Sequence, residues 1–278
     1  MSTDKLHQNK IAIINDISGY GRCSITVALP VISACGIQCC PLPTSIFSAH
    51  TGYPEYFFED FTDSMQPYID KWKALNLHFD GILTGFLGSE RQIEIVDRFL
   101  NDFTDKNTCV IIDPVMGDEG KRYATYTDGM CRRMRELVKH AYILTPNLTE
   151  ACILTDTPYE PENFTGSDYL RMSERLISLG AQKIVITGID SGTMISNYVY
   201  EKEKAPRMIR RKRAGKSRPG TGDLFSSIIA ADCLNGIDFA SSVARASDFV
   251  RDSIRITEDY DIDQQNGVCF EKLLTRLD

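Results

Sequence analysis

Short apolar runs rich in β-branched residues alternate along the chain with longer stretches whose apolar positions recur at helical spacing. Ile11-Ala12-Ile13-Ile14 reads as a first buried strand. Gly81-Ile82-Leu83-Thr84, residues 109–112, Tyr142-Ile143-Leu144 and Ile184-Val185-Ile186 read as further strands. Helices are predicted over residues 25–35, 64–75, 90–103, 129–139 and 169–179. This alternation predicts right-handed βαβ units around a mostly parallel sheet flanked by helices, an α/β fold. Past Thr187 the pattern changes: residues 193–200 read as a strand, 206–212 as its hairpin or edge partner, and 223–235 and 239–256 as two closing helices. No repeat, low-complexity tract or Pro/Gly/Ser-rich linker interrupts the chain, so residues 1–278 are expected to form one domain. In an open parallel sheet, ligands collect beyond the carboxyl ends of the strands. Polar punctuation falls there, at Asn15-Asp16, Thr84-Gly85, Asp113-Pro114, Thr145-Pro146-Asn147 and Thr187-Gly188.

Composition adds exclusions. With 42% hydrophobic and 25% charged residues the chain can bury a full core. No run reaches the roughly 18 apolar residues of a membrane span, and residues 1–10 are polar, unlike a secretory signal. An intracellular, cytoplasmic protein is expected. The nine cysteines sit mostly in apolar stretches, and none of their spacings suits zinc. They read as buried, reduced thiols. A net charge of −7 argues against a general nucleic-acid binder. Residues 202–218 nevertheless hold nine basic residues against one acid, without interleaved aromatics.

Three constellations carry candidate chemistry. In Arg218-Pro219-Gly220-Thr221-Gly222-Asp223 two glycines bracket a threonine where an apolar helix begins. Such a turn lets backbone N–H groups and the helix dipole approach a phosphoryl group. Asp223, in the first helical turn, is placed to take a proton from an attacking alcohol; the alternative is a plain turn with Asp223 as N-cap. Asp113-Pro114-Val115-Met116-Gly117-Asp118 puts two carboxylates after a strand, a donor set suited to Mg²⁺, or else a turn with a solvated aspartate. Thr145-Pro146-Asn147-Leu148-Thr149-Glu150 offers Asn147 to a phosphate and Glu150 to metal-bound water, or else makes a helix cap of the two.

The order of these pieces resembles the ribokinase-like superfamily, and within it the vitamin-B6 and hydroxymethylpyrimidine kinase branch, over roughly residues 10–256. Ser48-Ala49-His50-Thr51-Gly52-Tyr53 and Thr84-Gly85-Phe86-Leu87-Gly88 resemble segments of pyridoxal kinases, while residues 15–22, Asn-Asp-Ile-Ser-Gly-Tyr-Gly-Arg, resemble a bacterial pyridoxamine kinase-like subgroup. The resemblance implies a three-layer fold and phosphorylation of a B6 vitamer at its 5′-hydroxymethyl, feeding pyridoxal 5′-phosphate salvage. Asp223 would be the base and Gly220, Thr221 and Gly222 the anion hole. Asp16, Ser18, His50, Thr51 and Tyr123 would line the ring pocket, with Phe47 and Phe86 as apolar walls. Asp113, Thr145, Asn147, Glu150, Thr187, Gly188, Thr221 and Gly222 would serve ATP. Asp118, Thr145 and Glu150 would serve Mg²⁺, and an accompanying monovalent cation is compatible. Residues 202–218 would form a flap over the phosphates. A homodimer is implied.

Phe86, Asp16 and Ala49 stand where relatives carry tyrosine, serine and asparagine, which bears on the vitamer rather than on the phosphoryl transfer. An ionised Asp16 would favour a protonated ring nitrogen or the amine of pyridoxamine, unless it caps the next helix or pairs with Arg22. Two other readings compete: a hydroxymethylpyrimidine kinase, and a non-catalytic B6- or nucleotide-binding protein of the same fold.

Overall fold

A computed structural model describes residues 7–278; the first six residues of the polar opening lie outside them. The elements in chain order are β1 (Lys10–Ser18), α1 (Ile25–Ala34), β2 (Gln38–Phe47), β3 (Phe58–Asp60), α2 (Thr62–Ala74), β4 (Gly81–Thr84), α3 (Glu90–Phe103), β5 (Cys109–Ile112), β6 (Gly117–Asp118), β7 (Lys121–Arg122), α4 (Asp128–Leu137), β8 (Ile143–Leu144), α5 (Leu148–Leu154), α6 (Gly166–Ser178), β9 (Lys183–Asp190), β10 (Met194–Glu201), β11 (Arg207–Lys212), α7 (Thr221–Leu234) and α8 (Phe239–Thr257). Nine of the described strands form one sheet in the order β11-β10-β9-β8-β5-β4-β1-β2-β3, and β6 with β7 makes a small separate hairpin. The central pairs, β2 through β1, β4, β5 and β8 to β9, are parallel. Antiparallel strands close both ends: β3 on β2, and β10 and β11 beyond β9.

Strand alternation sorts the core into two halves. Ala12, Ile14, Ile82, Val110, Ile112, Leu144, Ile184 and Ile186 face one helical layer that includes α2 to α6. Ile11, Ile13, Leu83, Ile111, Ile143 and Val185 face the other, with α1, α7 and α8. The result is three layers, helices on both faces of a mostly parallel sheet. Helix α7 buries residues on nearly every side, because it lies between the sheet, α1 and α8.

Observed and expected elements agree closely for β4, β5 and α3. The chief omission is β2. Pro41 and Pro43 argue against a central strand. They are tolerated because β3 pairs only with Ser45–Phe47, leaving that edge of β2 open beside the prolines. Pairing with β2 also carries β1 through Asn15 and Asp16 to Ser18, past a bulge. Likewise β10 extends β9 through Thr187 and Gly188 to Asp190, so that punctuation lies within a strand rather than after it.

The cysteine reading requires a correction. Cys109 at the start of β5 and Cys233 near the end of α7 form a disulfide across 124 residues, while the other seven cysteines are free. Local spacing cannot reveal such a pair, because it arises only when α7 packs onto β5. A cross-link closing so long a loop typically stabilises by about 2–4 kcal/mol. Reduction is therefore expected to lower Tm by roughly 5–15 °C in a chain of this size. A thermal melt with and without reductant, beside a thiol count on unfolded, unreduced protein, tests this. Nine titratable thiols and identical melts would contradict the bond.

Candidate active site

Parallel strands β1, β4, β5 and β8 all end on one side of the sheet, and helix α7 begins there. Its first turn leaves N–H groups without intrahelical partners. Gly220 precedes it with φ +77°, and a Cβ there would lie 1.8 Å from the Arg22 carbonyl oxygen. Glycine is thus required by both backbone conformation and contact. Thr221 donates its hydroxyl to the Arg218 carbonyl at 3.1 Å, which fixes the turn. At Gly222 a Cβ would meet nothing within 4 Å, so an open space adjoins the helix N-terminus. This arrangement suits an anion.

Acids crowd the same rim. Asp223 accepts from the Asn15 amide, Nδ2 to Oδ1, at 3.1 Å. Burial pushes the Asp223 carboxyl up to about 6, against hydrogen bonds from the Ser24 backbone and Asn15, and the charge of Asp16 adds to the rise. Asp113 is pushed well above the usual carboxylate range by burial and by the charges of Glu150 and Asp223, with the Ser226 hydroxyl offsetting part. Glu150, 4% exposed, accepts from the backbone N–H of Met116 at 3.0 Å and of Asn147 at 2.8 Å. Burial outweighs those bonds and raises it to about 7. Tyr123, on the loop after β7, is raised by burial and by the charges of Glu150, Asp118, Asp113 and Asp223.

The other expected residues divide. Asn147 and Glu150 form a reciprocal capping box at α5, so the capping reading holds for both. The Asn147 amide also donates to the Gly117 carbonyl at 2.7 Å, which ties β6 to α5 and leaves its side chain committed within the protein. Thr145 is buried and Thr187 half-buried beside the Pro146 carbonyl, and Gly188 donates its N–H to Asn197. Phe47 and Phe86 meet edge to face, ring centroids 6.3 Å apart. His50 is held by the Gln265 carbonyl at 2.7 Å and by the Gly52 N–H at 3.1 Å, while Thr51 is exposed. Tyr123 is 43% exposed. Ser18, only 1% exposed, is turned inward: its hydroxyl donates to Asp16 at 2.9 Å. The second oxygen of Asp16 accepts from Ser24 at 2.6 Å, and burial raises the carboxyl despite both bonds. Asp16 therefore neither caps α1 nor pairs with Arg22, whose partner is Glu271.

The basic segment is also redistributed. Antiparallel register puts Lys202 and Arg207 at the end of the sheet away from the acids. Arg211 pairs with Asp248, Arg213 with Asp190, and Arg218 is buried against the Asp263 carbonyl. Only its second half, from about Arg211 to Arg218, lies on the acidic side, and those three arginines serve the fold. Asn15 was legible only as polar punctuation after the first apolar run, its pairing with Asp223 was not, and Ser24 went unnoticed.

The donor set fits a divalent cation bound partly through water. Asp113, Asp118 and Glu150 supply hard oxygens, and among the described residues no lysine, arginine or histidine ion-pairs with any of them. No three of the described His, Cys, Asp or Glu residues close around one point, so an ion here would complete its shell with other oxygens.

Comparison with known proteins shows the family. Residues 29–269 match the family described as phosphomethylpyrimidine kinase, and the chain belongs to that family. It is an ATP-dependent kinase of the ribokinase-like fold, with relatives named for vitamin B6. The pyridoxine/pyridoxal/pyridoxamine kinase of Bordetella avium is 27% identical, over 86% of this chain and 82% of that protein. The pyridoxal kinase of Arabidopsis thaliana is 31% identical, over 77% and 70%. A putative phosphomethylpyrimidine kinase from Bacteroides thetaiotaomicron, crystallised with pyridoxal, superimposes with TM-score 0.93 and 38% identity, covering 98% of this chain and 96% of that one. The non-catalytic reading is thereby set aside. No described helix is long and apolar enough to cross a membrane.

Raised carboxyls have a thermodynamic consequence. Asp223 at about 6 and Glu150 at about 7 bind protons more readily when folded than unfolded. Stability is then fullest below the unfolded value of about 4 and is lost as pH rises through 6 to 7. Millimolar Mg²⁺ is expected to raise Tm at about pH 7.5 and to do little at about pH 5, where the acids are protonated. Equal shifts at both pH values, or none, in a thermal-shift titration would contradict a cation site at these carboxylates.

Proposed function

We propose that the protein transfers the γ-phosphoryl group of ATP to the 5′-hydroxymethyl of a vitamin B6 vitamer, with Asp223 as base. The observation that carries this is the half-buried Asp223 carboxylate in the first turn of α7, anchored by Asn15 and following an open glycine at the anion-binding end of the helix. In the reaction the alcohol oxygen bonds to the γ-phosphorus while the bond from that phosphorus to the β-bridging oxygen breaks. ADP leaves, and the alcohol proton passes to Asp223. Little covalent chemistry is asked of the protein beyond positioning and charge neutralisation. The α7 N-terminus would hold the transferring oxygens. Asp118 and Glu150, in part through water, would hold Mg²⁺, which when bound neutralises phosphate charge.

Support for the vitamer comes from the B6 kinases among the relatives, the pyridoxal in the Bacteroides structure and the neighbouring Phe47 and Phe86 rings. The inward-turned Asp16 and Ser18 weigh against a direct charge contact from Asp16 to the ring. A second reading, a hydroxymethylpyrimidine kinase, draws on the family match and on an Aquifex aeolicus relative of that name, 27% identical over 63% of this chain.

The base must be ionised to accept a proton. With its pKa near 6, kcat/KM is expected to fall as pH drops below about 6, rather than near the ordinary value of about 4. Asp223→Asn is expected to lower kcat by about 10²–10⁴-fold with ATP affinity within a few-fold of wild type. A variant with near-normal kcat would remove Asp223 from this role.

A further inference from the structure

We infer that Asn15 is a positioning residue for the base, holding Asp223 in a fixed rotamer and in its ionised form. This rests on Asp223 acting as proposed above. The Asn15 side chain is 5% exposed, and all its contacts are made within the protein. Its Oδ1 accepts from two backbone N–H groups, Asp16 at 2.9 Å and Phe86 at 2.8 Å. Those two donors decide which end of the amide is oxygen. Nδ2 must therefore face Asp223 and donate to it, at 3.1 Å.

The room for this side chain is made by Gly85. A Cβ at Gly85 would lie 2.3 Å from Nδ2, 2.4 Å from Cγ and 2.7 Å from Oδ1 of Asn15. Gly85 does not have a positive φ, so the glycine is needed here for space and not for backbone freedom. Three segments thus meet at one amide: the end of β1, the turn after β4, and the first turn of α7. The partners Asn15 and Asp223 are 208 residues apart.

The charged and titratable groups facing Asp223 make this amide consequential. They are Asp16 from β1, Cys23 from the loop before α1, Asp113 after β5 and Tyr123 after β7. None is cationic. Burial and like charge both push Asp223 toward its protonated form, which cannot take the alcohol proton. A neutral N–H donor opposes that push without adding a positive charge that would compete for phosphate oxygens.

Asn15→Asp tests this with little change of shape. It keeps an acceptor for the Asp16 and Phe86 N–H groups and replaces the donor with a second carboxyl. The two acids then share protons as a pair. The acidic limb of kcat/KM is expected to move up by at least about one pH unit, and kcat at pH 7 to fall about 10–100-fold, with KM for ATP within about threefold. Gly85→Ala, which crowds Asn15 without altering a polar group, is expected to lower kcat in the same direction. A purely structural role would lower Tm and the active fraction but leave the limb in place.

Either folded variant with wild-type kcat and an unmoved limb overturns the inference. Should Asn15→Asp not fold, Gly85→Ala decides alone. Failure of the base itself is distinguishable, because Asp223→Asn would then retain turnover whatever Asn15 does.

Discussion

Several acids are gathered at the carboxyl ends of parallel strands, with no basic side chain among the described residues paired to Asp113, Asp118 or Glu150, and much of the architecture is spent on holding them there. Desolvation and mutual repulsion raise Asp113, Glu150 and Asp223 together. Left alone, such a cluster destabilises the fold at neutral pH. The opposing contributions are backbone N–H donors to Glu150, an amide donor to Asp223 and hydroxyl donors to Asp16. Each is a neutral dipole. The donors thus oppose protonation of the acids without adding positive charge, which suits a kinase that must attract a metal to polyphosphate and keep a base ready.

The sheet makes this gathering possible because parallel strands all end on the same side. Helix α7 adds the opposite sign at the same place through its N-terminal dipole. Its arrival is fixed by close contact at Gly220, by apolar burial along its length and by the disulfide from Cys233 to β5. The acids and the anion-binding turn are thus brought to one rim by helices on both faces of the sheet, and their spacing depends on packing remote from the chemistry.

Much of this was legible along the chain. Apolar runs marked β4 and β5, and amphipathic spacing marked α3, because each obeys local rules of period and punctuation. Gly220 to Asp223 could be picked out as a glycine-bracketed turn opening an apolar helix, and Asp113 and Glu150 as carboxylates placed just after strand-like apolar runs. Strand β2 was hidden by Pro41 and Pro43, whose harmlessness depends on an edge that only the assembled sheet reveals. The Cys109–Cys233 bond and the Asn15–Asp223 pair were hidden for the same reason: their partners are distant in sequence and meet only through topology. Asp16 read as ligand-facing from its place after an apolar run, and Ser18 from the family resemblance. They turn inward because β1 continues past them and Ser24 offers a hydroxyl.

The substrate ring is where fold and family leave most to be decided, since the relatives include both a pyridoxine/pyridoxal/pyridoxamine kinase and a hydroxymethylpyrimidine/phosphomethylpyrimidine kinase. The direct measurement is kcat/KM for the purified protein with Mg²⁺ and ATP on pyridoxal, pyridoxamine, pyridoxine and hydroxymethylpyrimidine, with the phosphorylated product identified by mass. The account predicts a 5′-phosphorylated vitamer and a preference of at least about tenfold over the pyrimidine. Turnover of hydroxymethylpyrimidine with none of any vitamer would contradict it.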